Sequence, residues 1–420
     1  MPTDLRTAVR SYVDSLVVPP GDVSKVITPT RARGRLVPLA AALAVLAVVG
    51  AVTLLPGLLR APAVHPGSGP ASLPDRVARY SYLTATVSAS PPGPAIALYQ
   101  HGTGVELADN PQALVLGANA DVYRRVDVAE RRGGPRTQGD PAPMLLSPDG
   151  TRVAVGSYDG AADLALVDLA TGGVTRRAAP AGPDLVPLAW SPDGRYLAVI
   201  EPIGANPYSV DPVEGRLALY DLAGGGVTRP AGLARVSAVA FAPTGPDLAV
   251  QDGGVLSIVD RSGARLRTLD SPGQLRLVAA SWAPDGSRLA LASPRDAANP
   301  RVVLLDPAGS GPGVMITGED TPLGWTGARR ILCRHADAVV EVDLDTGRKH
   351  TVTRFDTGPF QNYQIGSVQL AAGLLPGLRI RPAGGADRGP WPGWWRLTVA
   401  VAVALMAGLV VVVIRRFRHF

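Results

Sequence analysis

Between residues 80 and 383 short apolar runs alternate with compact turn clusters, and the same sequence of types keeps returning. The sharpest copy is Trp190-Ser191-Pro192-Asp193-Gly194-Arg195-Tyr196-Leu197-Ala198-Val199. Leu146-Ser147-Pro148-Asp149-Gly150, Phe241-Ala242-Pro243-Thr244-Gly245 and Trp282-Ala283-Pro284-Asp285-Gly286 repeat its first half, and each leads into a short apolar run. Proline presets φ for the first corner, Asp caps the turn through its carboxylate, and Gly takes the positive φ that ends it. The flanking aromatic and β-branched residues suit a buried pleated sheet, so each copy predicts a tight reversal between two strands.

A second unit alternates with the first. Leu164-Ala165-Leu166-Val167-Asp168-Leu169 and Leu217-Ala218-Leu219-Tyr220-Asp221-Leu222 are its clearest copies; looser ones end at Asp260, Asp306 and Asp343. Asp127, in Arg125-Val126-Asp127-Val128, is a weaker sixth. The glycines of the first unit lie 44, 51 and 41 residues apart. Two hairpins in each period of about 40–50 residues make four short strands, the pattern of a β-propeller blade. Tyr80 to Val87 also alternates and predicts a strand. Ser367–Leu370 and Leu378–Ile380 read as late strands, one of them expected to pair near Tyr80 and close the ring.

The W/F-S/A-P-D-G-x-x-L-A-V pattern resembles the PD40 repeat, the WD40-like repeat of TolB-type propellers. The likeness extends over residues 80–380, with Thr244 in place of Asp in the third copy, no turn motif in the first unit, and Gly324-Trp325-Thr326-Gly327 in the last. No Trp-Asp dipeptide and no Gly-His pair occurs, which separates the chain from WD40 proper. The resemblance implies an all-β fold with six blades, or seven if residues 355–383 add strands beyond closure.

Outside the repeats the pattern changes. Leu5, Val9, Val13 and Leu16 fall at helical spacing and precede a basic stretch from Lys25 to Arg35. Leu36 to Leu59 is apolar and uncharged, as is Leu397 to Ile414. About 20 such residues span a bilayer core, so both read as transmembrane helices, the first as a retained anchor rather than a cleaved signal peptide. The expected organisation is a cytoplasmic tail with a short helix (1–34), a first span (35–59), a Pro/Gly/Ser linker (60–74), the propeller (75–383), a linker carrying Trp391, Trp394 and Trp395 (384–396), a second span (397–414) and a short tail (415–420). Tail helix, basic stretch and span together resemble, in outline only, the tails of bacterial envelope sensors and membrane-bound anti-sigma regulators. Ala400, Ala404 and Gly408, like Ala40 and Ala44, recur every fourth residue and would let the two spans pack.

Charge sharpens the placement. The whole chain carries a net +6, yet residues 61–390 hold 30 basic against 32 acidic residues. The flanks hold 11 basic and 3 acidic, beside the apolar segments. That distribution is a membrane-topology signal and not a nucleic-acid face, and it puts both termini in the cytoplasm with the propeller outside the plasma (inner) membrane.

Candidate chemistry is sparse. Cys333 is the only cysteine and reads as a buried thiol, so no intramolecular disulfide forms. No serine has glycine two residues before and after it, no Gly-Lys pair marks a phosphate loop, and the five histidines give no H-x-x-x-H pair. Asp343-Leu344-Asp345-Thr346-Gly347 has some features of a calcium loop, but it stands where each repeat has its hairpin turn. No cofactor, metal or catalytic residue is assigned. The informative departures are two long loops: Asn206, Tyr208 and Asp211 lie in one, and Arg295, Asp296 and Asn299 occupy the matching place in a later repeat. Extra length on one propeller face makes these the candidate binding residues. The expected function is a non-catalytic binding, scaffold or sensor module at the cell envelope, with a protein partner or envelope ligand. The alternatives are a propeller hydrolase or lactonase with a channel site, and a TolB-like envelope-assembly or secretion accessory.

Overall fold

The computed structural model describes residues 70–102, 111–133, 139–157, 163–178, 184–203, 213–271, 275–294, 298–309, 313–357 and 365–417. The chain divides into two compact units, residues 61–392 and residues 1–60 with 393–420. The larger is an all-β propeller. Sheet 1 runs Ile365–Leu370, Ala95–His101, Gln112–Gly117, Tyr123–Arg125; sheet 2 runs Met144–Leu146, Arg152–Val155, Asp163–Asp168, Val174–Ala178. Sheet 3 has eight strands, beginning Val186–Trp190, Tyr196–Pro202, Gly215–Asp221 (with Val227–Thr228 beside it) and continuing through Val236–Phe241, Leu248–Asp252, Val255–Val259 and Arg265–Thr268. Sheet 4 runs Arg276–Trp282, Leu289–Ala292, Arg301–Leu305, Val314–Thr317; sheet 5 runs Thr321–Gly327, Arg330–His335, Ala338–Asp343, Lys349–Phe355, with Arg76–Val77 added at its outer edge.

The expected six or seven separate blades are therefore not what forms. Among the described residues four sheets are of single-blade size, three of four strands and one of five, and sheet 3 has eight. Two sequence repeats run together there because Gly215 pairs with Val236, joining the third strand of one repeat to the first of the next. On its other side Gly215 lies close to the second strand of its own repeat, where a Cβ would stand 2.3 Å from the Glu201 carbonyl oxygen.

Apolar side chains fill every space between neighbouring sheets. Leu98 and Val115 of sheet 1 meet Val153 and Val167 of sheet 2; Leu145 and Leu164 of sheet 2 meet Leu197 and Val199 of sheet 3. Ile258 of sheet 3 meets Leu289 and Val303, Val302 of sheet 4 meets Ile331 and Cys333, and Leu332 and Val352 of sheet 5 meet Ile96 and Leu114. The last contact returns to sheet 1 and closes the ring. Burial on both faces is what makes the strand sequences near-continuous apolar runs.

Closure differs from the sequence expectation. Ile365–Leu370 pairs antiparallel with Ala95–His101, not with residues near Tyr80. Tyr80 to Val87 is no strand; it holds turns and a single bridge, Thr86 to Arg125. Its residues are spent on other contacts: Tyr80 packs on the His101 ring and edge-on against Tyr82, and just beyond the segment Ser88 donates to Asp127 at the start of helix α1, Asp127–Arg131. The second late strand, Arg379–Arg381, pairs in parallel with Ser72–Pro74.

Of the smaller unit, helix α2, Gly393–Phe417, is described. Among the described residues no helix is long and apolar enough to cross a membrane. This corrects the span expected over 397–414. Leu397, Val401, Leu405, Met406 and Leu409 are exposed while Ala400 is buried. The segments expected at 1–34 and 35–59 lie outside the described residues.

Candidate binding site at the convergence of the sheets

The turns that carry the sequence signal are built as their chemistry requires. Gly150, Gly194, Gly245 and Gly286 all have positive φ, between 67° and 80°. Ser191 donates to Asp193 at 2.5 Å, Asp193 accepts from the Arg195 amide at 3.0 Å, and the Ser191 hydroxyl accepts from the Tyr196 amide at 2.8 Å. Ser147, Asp149, Thr151 and Arg152 repeat that network. The second set of aspartates does the same work: Asp168, Asp221, Asp260, Asp306 and Asp343 each accept from backbone amides two or three residues on. Asp343 is thus a turn residue, in keeping with the sequence reading. Hydrogen bonding holds these carboxyls low. The Ser191 hydroxyl lowers Asp193, the Ser287 hydroxyl lowers Asp285, and the Arg195 guanidinium brings Asp221 to about 2.

At the centre, strands heading five repeats enclose a cavity of about 650 Å³. It is lined from Met144–Leu146, Val186–Trp190, Arg276–Trp282, Thr321–Gly327 and Ile365–Leu370. Four of these strands break register near their starts, between Pro187 and Ala189, Leu277 and Trp282, Pro322 and Gly324, and Ile365 and Ser367. A bulge turns its extra residue out of the ladder, and Leu188, Val278, Leu323 and Gly366 duly face the cavity. In sheet 4 the Ser281 hydroxyl fixes the bulge, donating to the Val278 carbonyl at 2.6 Å and accepting from its amide at 3.0 Å.

These strands are edges, because each has a ladder partner on one side only. Pro187 and Pro322 stand on them and remove amide donors that would otherwise face the cavity. Neighbouring sheets are stitched just behind. The indoles of Trp190, Trp282 and Trp325 donate to the carbonyls of Leu145, Ala240 and Ser281, 45, 42 and 44 residues earlier. Gln369 does this at the closing strand, donating to Met144 and accepting from the Leu146 amide. The tryptophan of three repeats is therefore a link between repeats.

Charged groups gather where the lining strands begin. Arg334 donates to the carbonyls of Ile365 at 2.6 Å and Gly366 at 3.3 Å, Arg276 to that of Ser293 at 3.4 Å, and Asp320 accepts from the Ala336 amide at 3.3 Å. The walls below are Leu145, Leu146, Leu188, Leu323 and Val368. Sequence reasoning did not find Arg276, Asp320 or Arg334, because a lone charge at a strand end has no periodic signature. The bulges are likewise invisible in a repeat that scans as regular.

The candidate residues sort as follows. Asn206, Tyr208, Asp211, Arg295 and Asp296 lie outside the described residues. Asn299 is exposed in a bend, and its loop meets the cavity at both ends, through Ser293 and Pro294 on one side and Pro300 on the other. In an antiparallel meander the loops after the second strand of a repeat share a face with the starts of the lining strands. Pro202 and Gly215, which bound the other loop, stand at that same stage of their repeat. Two buried titratable groups sit on strands paired with the lining, His101 opposite Ile365 and Cys333 opposite Pro322. Burial lowers the His101 imidazole to about 4, and burial pushes the Cys333 thiol far up.

No family model matches the sequence, and no curated protein matches it. Among solved structures the chain is similar to the crystal structure of TolB from Acinetobacter baumannii, with 16% identity and a TM-score of 0.46 over 66% of this chain and 67% of that one. It is also similar to the crystal structure of a nidogen/laminin complex, at 13% identity and 0.41 over 66% and 99%. A putative TolB from Agrobacterium tumefaciens gives 16% and 0.38 over 55% and 89%.

Proposed function

We propose that this protein is a non-catalytic binding or scaffold module of the cell envelope, and that its partner engages the lip of the central cavity. The observation that carries the reading is the junction of the Asn299 loop with the cavity, through Ser293, Pro294 and Pro300. A loop that varies in length between repeats there meets a preformed concavity with apolar walls and a charged rim. Concave, largely apolar sites with a few placed polar groups are the usual form of a binding site. The rim arginines already donate to backbone carbonyls, which suits a group that shapes a surface better than one that enters a reaction. In the same reading, the flanks of the propeller attach it to the plasma membrane with the propeller on the outer side. The charge partition, and Trp391 just before α2 with Trp394 and Trp395 in its first turn, support that placement.

A photo-crosslinking amino acid placed at position 299, and separately at 225 in the turn after Asp221, tests this in native membranes. Adducts from position 299 that are absent from 225, and that weaken at least tenfold when Leu188→Trp fills the cavity, are expected. Identical adducts from both positions, or adducts indifferent to Leu188→Trp, would remove the cavity lip from the account. Capture of a multiprotein membrane complex would favour the envelope-assembly alternative over a single ligand.

A further inference from the structure

The stretch of chain that closes the ring does four things in succession. Ile365–Leu370 forms one wall of the cavity. Leu375, fully buried, then seats against Gly324 on the lining strand of sheet 5. Gly324 has φ +143°, and a Cβ there would collide with the Leu375 Cδ1, so the notch exists only because position 324 is glycine. Next, Arg379–Arg381 pairs in parallel with Ser72–Pro74. Finally residues 384–389 dock on the outer edge of sheet 1: Gly384 donates to Asp121, Tyr123 donates to the Asp387 carbonyl at 2.8 Å, and Ala85 to that of Arg388 at 2.7 Å.

The N-terminal segment enters the same joint. Arg76–Val77 lies parallel to Arg354 and Phe355 on sheet 5, while the Ser72 amide donates to Ala118 of sheet 1. Both ends of the propeller thus cross the seam between sheets 5 and 1, and they hold each other. Arg381 is the pin. Its guanidinium donates to the Ser72 carbonyl at 2.8 Å and to Asp121 at 2.6 Å, with the Arg381 side chain only 20% exposed. A charge-assisted pair of this kind, partly buried and shared among three segments, is far stronger than a surface ion pair. No other sheet has such a joint: within the described residues, parallel strand pairing occurs only at these two pairs, Ser72–Pro74 with Arg379–Arg381 and Arg76–Val77 with Lys349–Phe355.

We propose that this joint is a mechanical clasp that couples the two chain ends to the cavity wall. While the clasp is shut, the closing strand is held through Leu375 and through Arg334, which grips the carbonyls of Ile365 and Gly366. When the clasp opens, the wall formed by Ile365–Leu370 loosens ahead of the rest of the ring. A displacement of either flank then alters the site at the centre, and occupation of the site resists displacement of the flanks. The coupling goes beyond the binding role and is tested without any ligand.

Hydrogen exchange on the full-length protein in detergent supplies the test, comparing the wild type with Arg381→Ala and with Asp121→Asn. Exchange of amides in 365–370 is expected to rise at least tenfold in both variants, with sheet 3 unchanged. Leu375→Ala, which frees the wall while leaving the Arg381 bonds to Ser72 and Asp121 in place, should give the same signature in 365–370 while 72–74 stays protected. Faster exchange confined to 72–75 and 379–389 in Arg381→Ala would overturn the coupling. So would uniform loosening of all sheets, which would make Arg381 a general stabiliser. A destabilised fold is told apart by the exchange of sheet 3 in the same sample.

Discussion

His101 and the turn aspartates respond to acid in two separate windows. His101 is buried, faces Ile365 across the closing pair and stacks on Tyr80 with ring centroids 4.4 Å apart. Burial lowers its imidazole to about 4 from an ordinary value near 6.5. A folded-state value below the unfolded one means that the unfolded chain binds the proton more readily. The contribution of His101 is therefore complete above pH 6.5 and disappears as pH falls towards 4, a loss on the order of 3 kcal/mol. The aspartates act lower. Asp193, Asp285 and Asp343 are held below their ordinary value by hydroxyl and amide donors, and Asp221 by Arg195, so their contribution is intact above pH 4 and fails only as pH drops further. Melting temperature from pH 8 to 2.5 should show two limbs. His101→Gln should flatten the upper limb and spare the lower, and a single limb in the wild type would refute the assignment.

Equivalent turns in successive repeats look alike in sequence but sit in different surroundings, and their glycines separate the two contributions. A Cβ at Gly150 would lie 2.1 Å from the Ala95 carbonyl oxygen, and the Ala95 amide donates to Gly150. At Gly194 nothing lies within 4 Å of that position. Gly194→Ala then costs only the left-handed backbone, roughly 1–2 kcal/mol. Gly150→Ala must also break the contact between sheets 2 and 1, adding about 1–3 kcal/mol. Urea titrations of the two variants should differ accordingly, and equal midpoints would mean that the turn geometry alone decides. The turns were legible because Pro-Asp-Gly encodes its own φ values and its own cap. The hairpin Asp168 and its counterparts were legible for the same reason. What escaped the sequence depends on distant partners. Tyr80 to Val87 alternates like a strand, yet Tyr80 is held by His101 and Thr86 by Arg125, contacts that periodicity does not report. The fusion within sheet 3 rests on a single pair, Gly215 with Val236, which no repeat pattern marks. The cavity rim of Arg276, Asp320 and Arg334 is assembled from strand ends far apart in the chain, which is why the loops around Asn299 were visible and the residues beneath them were not.

At the scale of the molecule, the membrane attachment proposed above raises the question of which side the propeller faces. Exposed Leu397, Val401, Leu405, Met406 and Leu409 stand on one helix, and burying each such side chain is worth about 1.5–3 kcal/mol. Water is therefore a poor surrounding for α2, and the proposed attachment predicts retention of the protein in washed membranes through 1 M salt, with release by detergent; loss in the salt wash would remove the attachment. Orientation has a convenient probe, because the chain's one cysteine is buried away from thiol reagents. Cys333 is fully buried and its thiol is pushed up by burial, so the reactive thiolate is scarce and inaccessible. A cysteine introduced as Asn299→Cys in the exposed bend, or as Thr3→Cys near the N-terminus, becomes the one reactive site in its variant. A membrane-impermeant sulfonated maleimide added to intact cells should label Asn299→Cys at once and Thr3→Cys only after lysis. The reverse pattern would place the cavity in the cytoplasm, and the partner at its lip would then have to be sought among cytoplasmic proteins rather than envelope ones.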